Sequence, residues 1–219
     1  MKKIVVLLSA IMLLMTGCSV TKLDSSDLGK NVKILLSEKS SLYNVFYDGY
    51  KYYLPKGVGF VTKDDYNAVL KDSVGNKYYL YVDAIGYYNK IENTYKVNNK
   101  SHYSKKLDYN KKTGYIQIDE VDSSYYIQFV YNYAKLEALV DKKDLTSTVS
   151  NMCYILRSVK FNDKILDSLI GENTLDYKEE NYSLFDSNSS NETFLGVVEK
   201  YETDDYKKDL EDEKIDLNN

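Results

Sequence analysis

The stretch Tyr115-Ile116-Gln117-Ile118-Asp119-Glu120-Val121-Asp122-Ser123-Ser124-Tyr125-Tyr126-Ile127-Gln128-Phe129-Val130-Tyr131 decides how this chain is read. Apolar and polar side chains alternate on both sides of Asp122-Ser123-Ser124, and a period of two marks a strand with one buried face. The central triplet is built from residues that favour turns, so the two halves form an antiparallel hairpin. Downstream the period changes. Leu145, Val149, Met152, Cys153 and Leu156 recur at spacings of 4, 3, 1 and 3, the apolar stripe of a helix laid on a sheet, with Asp144 as its N-cap. Residues 158–161 then leave that helix as a last strand.

Upstream, residues 43–47 and 50–54 flank Asp48-Gly49, a dipeptide suited to the positive φ of a tight hairpin turn. Pro55, the only proline, ends the second of these strands, where a missing amide hydrogen does least harm. Residues 57–62, 66–71 and 77–85 continue the strand pattern. In the last of these, Tyr78, Leu80, Val82 and Ala84 form the buried side, and Tyr79, Tyr81 and Asp83 the wetter one. Residues 86–114 read as the least regular part, a basic loop with seven lysines between Lys90 and Lys112 against Glu92 and Asp108. Strands followed by a terminal helix and one more strand predict an α+β domain over 42–161: an antiparallel β-sheet with one main C-terminal helix packed on it.

The ends of the chain read differently. Met1-Lys2-Lys3 precedes an apolar run from Ile4 to Met15 broken only by Ser9, too short for the ~20 residues that span a bilayer but suited to a secretory signal. Residues 1–17 are therefore expected to be a signal peptide. Residues 18–41 read as a polar spacer, although 32–36 could form a short strand. Residues 162–200 read as a partly ordered extension with apolar islands. Residues 201–219 carry eight acids and three lysines with few aliphatics, and read as an acidic disordered tail.

Leu14-Met15-Thr16-Gly17-Cys18 resembles the lipobox of bacterial membrane lipoproteins of the Gram-positive type, with Met15 where Leu or Val is usual. The resemblance implies cleavage between Gly17 and Cys18, and a diacylglycerol, palmitate-bearing in such proteins, on the Cys18 thiol. The mature chain would then sit on the extracytoplasmic face of the cell membrane. Residues 43–161 are similar, more loosely, to PsbP-like and Mog1-like domains. That likeness rests on the aromatic hairpin ending in Leu54-Pro55-Lys56-Gly57, the late hairpin, and Met152-Cys153-Tyr154-Ile155-Leu156-Arg157-Ser158-Val159-Lys160-Phe161; Val58 stands where a Trp often follows the turn. Such domains serve mostly as accessory or binding modules, and the likeness carries over no catalytic residue.

Composition narrows the function further. A formal net charge of −4 argues against nucleic-acid binding, and two cysteines with one histidine exclude a cysteine-rich zinc module. No GxSxG, HExxH, GxxxxGK[ST] or Rossmann glycine pattern occurs, and no cofactor is expected. His102 reads as solvated loop and Cys153 as a small core residue. Asp119 and Glu120 alternate to opposite faces, and Asp64-Asp65 lacks calcium-loop spacing. The excess of 24 Tyr over 6 Phe suits half-exposed strands, whose rings pack while their hydroxyls meet water; a ligand surface is the other reading. The expectation is a non-catalytic binding or interaction module at the cell surface, its partner a cell-wall polymer or a membrane protein, with Lys105, Lys106, Lys111 and Lys112 as contacts to anionic polymer. An extracytoplasmic hydrolase or wall-associated enzyme, its carboxylates assembled from distant segments, is the alternative.

Overall fold

Two-residue turns fold the middle of the chain into a long ladder. The computed structural model describes residues 27–171, and the compact unit treated below ends at Leu166. Its elements run α1 (Leu28–Ser37), β1 (Val45–Tyr47), β2 (Tyr50–Tyr52), β3 (Val58–Lys63), β4 (Asn67–Asp72), β5 (Lys77–Val82), α2 (Ala84–Tyr88), β6 (Tyr103–Tyr109), β7 (Lys112–Val121), β8 (Ser124–Tyr131), β9 (Ala134–Asp141), a 3-10 turn (Lys142–Asp144), α3 (Leu145–Ser158), β10 (Lys160–Phe161) and α4 (Asp163–Gly171). Among the described residues the strands form a seven-stranded antiparallel sheet, ordered β3-β4-β5-β9-β8-β7-β6, and a three-stranded sheet, β1-β2-β10. The α+β class holds.

The hairpin that opens the sequence reading pairs Val121 with Ser124 and Gly114 with Tyr131. Its neighbours turn through Asn110-Lys111 and Asn132-Tyr133, four residues with φ between 53° and 61°. Positive φ at both central positions makes a turn whose twist matches the strands it joins. Gly114 is required for a different reason. A Cβ there would lie 2.1 Å from the Val130 carbonyl oxygen, inside the neighbouring backbone.

One face of the sheet is apolar. Leu70, Tyr78, Leu80, Ile116, Ile118, Ile127, Phe129 and Leu136 are buried there, covered by α3 through Val149, Met152, Cys153 and Leu156. The helix ends in the Ser158 hydroxyl, which accepts from the Tyr53 amide at 2.8 Å and so ties it to the segment after β2. Asp144 precedes α3 as expected, but its side chain makes no capping hydrogen bond. In the small sheet Tyr47, Tyr50 and Tyr52 stack on one another with ring centroids 5.0–6.3 Å apart, and the Asn162 amide donates to the Gly49 carbonyl at 2.7 Å.

Four sequence expectations are corrected. Residues 28–37 are no spacer, and 32–36 no strand. Asp27 caps them as a helix by accepting from the Lys30 amide at 2.8 Å, and Val32, Leu35 and Leu36 are buried on α3. Residues 86–114 are no continuous loop, because 103–109 form the sheet edge β6 with α2 just upstream. Residues 84–85 turn into α2 rather than extending β5; Asp83 accepts from the Gly86 amide at 2.7 Å and starts that helix. Ala134–Asp141, assigned to no element from sequence, is the central strand β9. The signal and lipobox residues 1–18, the first part of the spacer, residues 172–200 of the C-terminal extension and the tail 201–219 lie outside the described residues.

Tyrosine burial has a pH consequence. Burial holds the phenols of Tyr50, Tyr52, Tyr78, Tyr126 and Tyr131 well above their ordinary value and pushes Tyr115 and Tyr87 up to about 12. A phenol that ionises less readily folded than unfolded contributes fully below the unfolded value near ~10, and that contribution is lost as pH rises through the folded value. The tyrosines should therefore lower the melting temperature only above about pH 10. Phenolate absorbance should rise in two steps, the second cooperative and coincident with loss of near-ultraviolet dichroism. A single step with the dichroism intact would contradict this. Gly114→Ala should cost about 1–3 kcal/mol in urea unfolding, since neither backbone can yield without breaking the ladder.

Candidate functional site

The last carbonyls of any helix lack partners within it and must find them elsewhere. Here α1 and α3 end side by side, and the hairpin turns supply the donors. Asn110, in the β6–β7 turn, donates through Nδ2 to the carbonyls of Leu36 at 2.9 Å and Ser37 at 3.1 Å. Arg157 donates through Nη1 to the Leu35 carbonyl at 2.7 Å and to Glu38 Oε2 at 2.8 Å. At the end of α3, Lys112 Nζ donates to the carbonyls of Arg157 at 2.9 Å and Val159 at 3.3 Å, while Asn132 Nδ2 donates to Val159 at 2.7 Å.

Between these ends lies an open cleft of about 510 Å³. Lys39, Lys112, Arg157 and Lys160 line it against Glu38 and Asp163, so its walls are net basic; Tyr43, Tyr87 and Phe161 supply an aromatic side. Both acids are engaged. Glu38 takes the Arg157 guanidinium, and Asp163 accepts from the Tyr87 hydroxyl at 2.7 Å. Tyr87 stacks on Phe161 with centroids 4.0 Å apart. Burial, and then repulsion by Lys160, lowers the Lys112 ammonium below its ordinary value.

The sequence-chosen lysines separate. Lys105 stands opposite Ile116 and Lys106 opposite Tyr115, so the two project to opposite faces of β6. Lys111 is exposed in the turn, and Lys112 alone enters the cleft. Of the other cleft cations, Arg157 and Lys160 stand close together where α3 gives way to β10, while Lys39 comes from the segment after α1, and nothing in their spacing marks them. His102 is exposed and tilted against Tyr125 at 4.6 Å. Cys153 is fully buried, and burial pushes its thiol far above the range of a reactive cysteine.

The second face of the sheet is polar. Register places Tyr79, Glu137, Gln128, Gln117 and Ser104 in one row across five strands. Glu137 Oε1 accepts from the Tyr126 hydroxyl at 2.9 Å and Gln128 Nε2 at 3.2 Å, and Lys135 Nζ lies 3.4 Å away. Tyr115 donates to Gln128 Oε1 at 3.0 Å, and Tyr95 stacks on Tyr115 with centroids 3.8 Å apart while donating to Gln117 Oε1 at 2.7 Å. These tyrosines hold the face together through mutual bonds. Asp119 accepts from Gln117 Nε2 at 2.7 Å, whereas Glu120 on the other side of β7 is exposed.

Among the described residues no three His, Cys, Asp or Glu side chains are placed to hold a metal ion, and no described helix is long and apolar enough to cross a membrane. Neither a protein-family model nor a curated protein sequence matches the chain.

Arg157 is the joint of this region. Arg157→Ala should lower stability by about 2–3 kcal/mol in urea, because two charge-assisted bonds vanish and the Leu35 carbonyl loses a donor. Arg157→Lys should recover less than half, since an ammonium differs in shape and reach from the planar guanidinium whose Nη1 serves both acceptors. Equal stability of the three proteins would show that α1 is held by apolar contact alone.

Proposed function

We propose that this chain is an extracytoplasmic membrane lipoprotein, anchored through diacylglycerol on Cys18 after cleavage at Gly17, that acts as a non-catalytic binding module at the cell surface. The anchor is supported by the sequence alone: a basic start, a short apolar run and a cysteine where that run stops. Two acyl chains hold a protein at a membrane stably, so the domain itself is free to serve a partner.

The cleft at the ends of α1 and α3 carries the binding half of the proposal. Its walls come from the segment after α1, the β6–β7 and β8–β9 turns, the end of α3 and β10. The turns and helix ends are fixed by side-chain bonds and β10 by its backbone pairing with β2, so the concavity is pre-formed and a partner need not order it. The likeness of residues 43–161 to PsbP-like and Mog1-like domains supports the same reading, because those domains serve mostly as accessory modules. The partner class is a cell-wall polymer or a membrane protein reached from the anchored position.

Cys18→Ala should abolish incorporation of labelled palmitate and either leave the precursor uncut or release the protein to the medium; label entering the variant would refute the anchor. Ser40→Trp places a bulky ring on the cleft wall, outside the packed core, and should abolish co-sedimentation of the mature chain from Ser19 onward, without signal or lipid acceptor, with purified cell envelope. Undiminished sedimentation would remove the cleft as the partner site.

A further inference from the structure

We propose that the cleft recognises a phosphate group, held between the ammonium groups of Lys112 and Lys160 with Lys39 at the rim. This rests on the cleft being the ligand site and goes on to name the chemistry of what enters it.

The first support is an imbalance of partners. An ammonium has three N–H donors, and Lys112 spends two on the carbonyls of Arg157 and Val159. Among the described residues no carboxylate pairs with Lys112, Lys160 or Lys39. The two acids of the cleft are already bonded, Glu38 to Arg157 and Asp163 to Tyr87. Four cations, Lys39, Lys112, Arg157 and Lys160, face two acids across the cleft; Lys112 is half-buried, Lys39 and Lys160 are exposed, and Lys160 repels Lys112. An anion seated between Lys112 and Lys160 would offset that repulsion.

The second support concerns the kind of anion. Planar carboxylates are matched best by the two-point fork of a guanidinium. In Arg157, Nη1 is committed to the Leu35 carbonyl and Glu38, and Nε is enclosed, with atoms of the protein over it. A two-point fork needs one of those two nitrogens, so what remains is a set of single donors on different walls, the lysine ammonium groups and Nη2 of Arg157. Such a set suits a tetrahedral phosphate anion, whose several oxygens can be met from several directions.

Lysine resonances of the full-length protein, labelled with carbon-13 at lysine and titrated with inorganic phosphate at constant ionic strength, test this directly. Saturable shifts confined to Lys112, Lys160 and Lys39 are expected. Lys160→Gln, an exposed position that should leave folding intact, should weaken the phosphate affinity roughly tenfold, the value of one charge-assisted bond. Lys105→Gln should leave it unchanged. Uniform, non-saturable shifts, or unchanged affinity in Lys160→Gln, would overturn the proposal, as would acetate giving the same shifts at the same affinity. Displacement of bound phosphate by poly(glycerol phosphate) would assign the group to a polymer, by phosphatidylglycerol vesicles to a membrane, and by neither to a small soluble ligand. If phosphate fails while Ser40→Trp still abolishes envelope binding, the phosphate assignment falls and the cleft stands; if both fail, the cleft falls too.

Discussion

A helix that ends against protein leaves carbonyl oxygens in need of donors, and this fold has two such ends next to each other. The usual remedies are water, a glycine in the left-handed conformation just past the end, or a cation in the last turn. Here Glu38 follows α1 in an extended conformation and Val159 ends α3, so neither end has the glycine. The donors come instead from turns of the large sheet, through Asn110, Lys112 and Asn132, and from Arg157 reaching across to α1. Those bonds exist only if the β6–β7 and β8–β9 turns are tight and in register. The ladder register, the placement of α3 and the docking of α1 are therefore one condition satisfied together.

That coupling explains why some elements were legible in the sequence and others were not. The β7–β8 hairpin and α3 announce themselves because each buries one regular face, and the burial along β8 alternates without a break. β9 does not alternate cleanly: Leu136, Glu137 and Ala138 are all buried, since a bonded glutamate occupies the polar face between two apolar positions. Its turn, Asn132-Tyr133, holds positive φ without glycine, so the usual signal was missing. α1 was hidden for a different reason. Its buried Val32, Leu35 and Leu36 make a narrow stripe amid Lys30, Asn31 and Lys33, and only the surface of α3 turns that stripe into a packed helix. Of the cleft only Lys112 was singled out from sequence, because Lys39, Lys112 and the Arg157–Lys160 segment are brought together by tertiary contact.

The tyrosine excess is also resolved by looking at both faces. On the apolar side Tyr52, Tyr78 and Tyr131 fill space as large core residues, and two of their hydroxyls find acceptors at the margin: Tyr131 at the Tyr109 carbonyl, Tyr78 at Asp72. On the polar side Tyr95, Tyr115 and Tyr126 bond to Gln117, Gln128 and Glu137. Phenylalanine could supply the first role but not the second. A sheet with buried polar groups on its second face needs hydroxyls to satisfy them, because an unbonded buried acceptor costs about 1–3 kcal/mol.

The same reasoning links the cleft to the stability of the fold. A cation is favoured at a helix C-terminus because the end carries partial negative charge, and this fold brings Lys112 and Arg157 to two such ends within one concavity. Each stabilises the helix end it bonds, yet Lys160 stands close enough to Lys112 to repel it. Relief from the outside would come from an anion, and the anion would strengthen rather than replace the caps, since Lys112 keeps its two carbonyls while using its third donor. Ligand and fold would then draw on the same ammonium, and binding would raise stability by mass action. A cap made only of asparagine amides would bond the same carbonyls without that repulsion, but without the favourable interaction of a cation with the helix end. The choice of lysine at position 112 is thus the point at which a structural requirement and a capacity for recognition coincide.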